Sequence, residues 1–154
     1  MRMSRALTAV GALLVLCLLI LGLAVYLGRD EDNVAVDNLL AEDITRAIGT
    51  AEDRGEDVDL WKIANFEWDE LVVADRDLTR AQLSRALGHP WKGDLQFRTG
   101  DLLIFLRDGA LARFADYRGD GRFEGIDRPF AHFDRGDAVF RVRGLVIRPL
   151  KPPS

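Results

Sequence analysis

The run Asp116-Tyr-Arg-Gly-Asp120-Gly121-Arg-Phe-Glu124-Gly-Ile-Asp127 sets carboxylates at loop positions 1, 5, 9 and 12, with glycine at position 6. That spacing resembles the way an EF-hand loop wraps calcium, a hard cation that takes oxygen ligands. Position 3 normally supplies one of those oxygens, but here it is Arg118, whose guanidinium would repel the ion. The flanks also read as strand and loop, where an EF-hand needs helices. Two readings stay open: a calcium loop through Asp116, Asp120, Glu124 and Asp127, and, preferred, a glycine-rich solvated turn.

Other reactive residues do not assemble into a catalytic set. The two histidines, His89 and His132, stand before Pro90 and Phe133 in expected loops, without the helical i, i+3 or i, i+4 spacing of metal-binding pairs. No Gly-x-Ser-x-Gly elbow occurs, and the single cysteine, Cys17, lies inside an apolar run. Carboxylates are plentiful, but no two are marked out as an acid and a base in contrasting environments. No catalytic residue and no cofactor is assigned, and the chain reads as a non-enzyme. The alternative is a metal-dependent or hydrolytic cell-envelope enzyme using His132, Asp134 and the Asp120 to Asp127 loop.

Binding chemistry has better candidates. Trp61 and Trp68, with Phe66 between them, can stack on a ligand, although such a cluster is more often core. Arg141, Arg143 and Arg148 recur along the last β-like segment and can bind an acidic protein or a headgroup. Charge on an exposed strand also guards against edge pairing. With a net charge of -4 and arginines interspersed among acids, nucleic acid is set aside as a partner.

The element expected to position everything else is the uncharged run Ala6 to Leu27. A bilayer-spanning helix needs about 20 apolar residues, so Ala6, Leu13, Leu14, Leu16, Leu19, Ile20 and Leu27 are expected to face lipid. Arg2 and Arg5 precede the run, and Asp30, Glu31 and Asp32 follow Arg29, which predicts an N-terminus inside and an exported C-terminal part. A cleaved signal peptide is the rival reading, but its only small-x-small candidate, Gly22-Leu23-Ala24, lies inside the apolar core. The expected location is the cytoplasmic membrane, single-pass, with lipid bilayer and a protein as partners.

From Arg29 to Asp59 eleven carboxylates face three arginines, an excess that suits a spacer standing off anionic headgroups. Within it Val36, Leu40, Ile44 and Ala47 form one stripe and predict a helix over Asn33 to Gly49. Trp68 to Ala74 predicts a strand, and Leu71-Val72-Val73 places apolar groups on both of its faces. Thr79 and Gln82 make a capping box that starts a helix at Arg80, which Gly88 and Pro90 stop. Leu102 to Leu106 and Ala110 to Ala115 predict a hairpin around Asp108-Gly109. Asp116 to Phe133 reads as loop, and Ala138 to Arg148 as one final strand.

Phe66-Glu67-Trp68-Asp69-Glu70-Leu71, Leu87-Gly88, Leu102 to Gly109 and Asp137-Ala138-Val139-Phe140 resemble a group of small uncharacterised bacterial lipoproteins and membrane-anchored proteins. The chain departs from that group at Val73-Ala74-Asp75-Arg76, and bulky Leu16 before Cys17 departs from a lipid-attachment motif. The resemblance implies an exported, tethered α+β domain and no activity. The expected organisation is a transmembrane signal-anchor over 1–28, an acidic helical spacer over 29–59, an α+β domain over 60–148 and a flexible tail over 149–154. In that domain two helices cover a small, mainly antiparallel sheet. The expected function is a membrane-tethered binding or scaffolding module, an accessory subunit of a larger membrane assembly.

Overall fold

Leu71, Val72, Val73 and Ala74 are all fully buried, and successive side chains enter two different apolar clusters. This is the period of two expected of a strand covered on both faces. The computed structural model describes Cys17 and residues 35–95, 100–126 and 129–154. Apart from Cys17, all of these fall in the unit Val34–Ser154.

The elements are α1 (Asn38–Arg54), β1 (Asp57–Asp59), α2 (Leu60–Ile63), β2 (Glu70–Ala74), α3 (Arg80–Leu87), β3 (Leu102–Arg107), β4 (Ala110–Asp116), β5 (Arg122–Phe123), β6 (Phe130–Asp134), β7 (Val139–Arg143) and β8 (Val146–Pro149). They build an α+β fold with two four-stranded sheets. The first has the order β4-β3-β2-β6 and is antiparallel throughout. The second has the order β1-β7-β8-β5 and is mixed, because β5 runs parallel to β8.

One apolar cluster joins the two sheets. Leu71, Val73, Leu103, Phe105 and Phe133 of the first sheet meet Val58, Phe123, Phe140, Val142 and Ile147 of the second. Helix α1 adds Leu40, Ile44, Ile48 and Ala51 to the same cluster. Its start is fixed by Asp37, whose side chain accepts from the Leu40 N–H at 3.0 Å, and its end by Gly55. The helix therefore begins and ends later than the expected Asn33 to Gly49. On its other face the first sheet is covered by α3 through Leu83, together with Leu78 and Trp91. Helix α3 has the capping box read from Thr79 and Gln82, and Gly88 ends it.

The expected fold needs two corrections. Its single sheet is in fact two: Gly144-Leu145 is a hairpin turn, so Ala138 to Arg148 folds into β7 and β8, and the acidic spacer supplies β1. The N-terminal transmembrane helix is not supported, because no helix among the described residues is long and apolar enough to cross a membrane. The longest, α1, has 17 residues and carries Glu42, Asp43, Arg46, Glu52, Asp53 and Arg54. The membrane, signal-anchor and single-pass assignments lose that support. The residues they rested on, Ala6, Leu13, Leu14, Leu16, Leu19, Ile20 and Leu27, lie outside the described residues. The segment 149–154, expected to be a flexible tail, bonds to the sheets: Leu150 N–H donates to Val139 O and Ser154 N–H to His132 O, both at 2.9 Å.

Candidate functional site

Strand alternation decides which arginines meet solvent. In β7 and β8 the side chains of Phe140, Val142 and Ile147 enter the core, so Arg141, Arg143 and Arg148 lie on the outer face of the second sheet. Strand β5 adds Arg122 to that face, since Phe123 beside it is buried. The register places Val146 between Arg143 on one side and Arg122 on the other. In the next row Arg141 stands between Arg148 and Asp57.

The two rows differ electrostatically. Arg141 grips Asp57 with a two-pronged fork, Nε to Oδ1 at 2.9 Å and Nη2 to Oδ2 at 3.2 Å. Those hydrogen bonds, assisted by charge attraction, hold the Asp57 carboxyl below its ordinary value and raise the Arg141 guanidinium above its own. Arg148 donates to Glu124 Oε2 at 3.1 Å. Arg122 and Arg143 are exposed and have no ion pair among the described residues. A groove of about 410 Å³ runs between Arg141, Arg143, Val146, Arg148, Pro149 and Leu150. Leu145, at the hairpin tip, is 58% exposed. The face thus combines two committed arginines, two uncommitted ones and an apolar border.

The carboxylates of the calcium-like loop are not gathered. Asp116 is buried at the end of β4 and accepts from Arg118 Nε at 3.0 Å. Asp120 is exposed and Glu124 turns to Arg148, while Asp127 lies outside the described residues. Among the described residues no group of three possible ligands comes together. The loop instead closes over Tyr117, which is edge-on to Phe123 at 5.6 Å. Side chains at Gly119 and Gly121 would lie 2.1 and 2.9 Å from the Tyr117 hydroxyl.

Burial raises the Tyr117 pKa above 10.0, opposed by a backbone hydrogen bond from Gly121. Because the folded value is the higher one, stability is complete below the unfolded value and is lost as pH rises through the folded value. Melting temperature is therefore expected to fall more steeply for the wild type than for Tyr117→Phe between about pH 10 and pH 12. Identical slopes in thermal melts would contradict this.

The other candidate residues separate. Trp68 is core, donating from Nε1 to Ala64 O at 3.3 Å and packing edge-on against Phe105 at 5.1 Å. Trp61 is 55% exposed. His132 contacts Glu70 Oε1 through Nδ1 and is edge-on to Phe130, while Asp134 is exposed at the end of β6. Arg122 and Arg135 carry no sequence signal of their own. A two-residue strand is too short to show alternation, and the turn holding Arg135 gives no hint of the tryptophans around it. No family model matches this α+β chain, and no curated protein or solved structure is similar to it.

Proposed function

We propose that residues 35–154 form a binding module that takes an acidic protein partner on the outer face of the second sheet. The observation carrying this reading is the placement of Arg122 and Arg143 on either side of Val146, exposed and without an ion pair among the described residues. Arginine suits the role because its planar fork holds a carboxylate through two hydrogen bonds. Arg141 and Arg148, each tied to its own carboxylate, add a fixed frame. Val146, Pro149, Leu145 and Leu150 add apolar area that a charged rim alone lacks.

Poly-L-glutamate titrated calorimetrically into the full chain at low salt tests the reading. Binding should weaken with added salt and fall about tenfold or more in Arg122→Glu/Arg143→Glu, since reversal turns two attractions into repulsions. Arg46→Glu/Arg54→Glu on α1 changes the net charge equally and should bind as the wild type does. Equal losses in both double variants, or none in the first, would refute it.

A further inference from the structure

Arg135, in the turn between β6 and β7, is held in an unusual way. Its guanidinium carbon lies 5.0 Å from the ring centroid of Trp61 and 5.4 Å from that of Trp68. Its Nε is buried and has no hydrogen-bond partner. A buried donor left unpaired costs about 1–3 kcal/mol, so a purely structural arginine would be expected to use one of the carboxylates nearby. Asp134, the preceding residue, is exposed and forms no ion pair with it, and three other carboxylates are committed elsewhere. Asp69 accepts from the Asp108 N–H at 2.7 Å, Asp137 pairs with Lys151, and Glu70 with His132. Among the described residues the Arg135 guanidinium makes no ion pair.

Two rings restrict the guanidinium and the backbone fixes the turn, since Arg135 N–H donates to Asp69 O at 2.8 Å. Less side-chain freedom is then lost when a ligand arrives. Trp61 lies beside it as an exposed indole. Together they offer a planar donor fork next to a flat apolar platform, and tryptophan and arginine are the side chains that most often dominate binding energy. A glutamate side chain matches both parts, its carboxylate on the fork and its methylene stem on the indole. Phosphate matches only the first.

We infer that Trp61 and Arg135 form a second binding site, for a carboxylate side chain of an acidic peptide, distinct from the arginine face. Leu60 N–H bonds to Ala138 O at 3.1 Å, so the site lies beyond the Val139 end of β7, whereas Arg143 lies at the opposite end. The inference does not depend on the proposed function above.

The test follows the Arg135 Nε–H and Trp61 indole N–H resonances of the full chain while an acetylated Glu-Leu-Glu amide is added. Both signals should shift saturably. Sodium acetate and inorganic phosphate should move them by less than a tenth as much at equal concentration. The Trp61 shift should vanish in Arg135→Gln and persist in Arg122→Glu/Arg143→Glu, which separates this site from the arginine face. Should Arg135→Gln fail to fold, Trp61→Ala, which removes an exposed ring, should weaken peptide binding at least tenfold. No saturable shift in the wild type, equal shifts with phosphate or acetate, or a Trp61 shift surviving Arg135→Gln would overturn the inference.

Discussion

Phe105→Ala is expected to lower unfolding free energy by about 3–5 kcal/mol, the range for deleting a large buried aromatic side chain. Phe105 sits mid-strand in β3, paired with Leu71 of β2 on one side and Arg113 of β4 on the other. It is fully buried and meets Phe66 and Trp68 edge-on at 5.4 and 5.1 Å. Its neighbours cannot collapse into the space, because Trp68 is bonded to Ala64 and β3 is held by ladders on both sides. Urea unfolding should show a lower midpoint with an unchanged slope. A loss below about 1 kcal/mol would mean that the two sheets do not share the cluster described.

Gly100→Ala is the second large effect. A methyl group there would lie 1.8 Å from the Tyr117 carbonyl oxygen and 2.9 Å from its carbonyl carbon. Both obstacles are backbone, and no rotamer change relieves them. Tyr117 is also tied across the same point, its N–H donating to Asp101 O at 2.9 Å just beyond the Leu102 to Asp116 register pair. The chain must separate there, at a cost of about 1–3 kcal/mol by the scale of overpacked sites. Gly136→Ala is the control, since its added methyl group meets nothing within 4 Å. Thermal melts should show destabilisation of Gly100→Ala alone. Equal behaviour of the two variants would refute the close approach.

The elements legible in the sequence were those specified by neighbouring residues. Asp108 and Gly109 turn the β3–β4 hairpin with φ of 51° and 73°, the two positive values that Asp-Gly favours. Thr79 and Gln82 cap α3 through mutual side-chain to backbone bonds. Leu71 to Ala74 announced a strand buried on both sides. What was illegible depended on distant pairing. Three residues, Asp57 to Asp59, carry too few positions to show a period, and their partners Val139 to Arg141 lie far along the chain. Arg122 is outward only because β5 adds to β8 in parallel. Three of the four arginines of the candidate site are therefore visible in the sequence, Arg141, Arg143 and Arg148. Arg122 came from topology. The apolar stretch near the N-terminus lies outside the described residues, and no described helix supplies the spanning element that its hydrophobic length predicts.

The second sheet pairs β1 with strands that come much later in the chain, β7 directly and β8 beyond it. During synthesis the early strand must wait, unzipped, until β7 has emerged. Chain closure over such a span is slow relative to local hairpin formation. A nascent chain halted before Val139 can complete the ladder of β2, β3 and β4 but has no surface on which to display its arginines. The arginine-bearing sheet is thus a late product of folding, available only once β7 and β8 have been made.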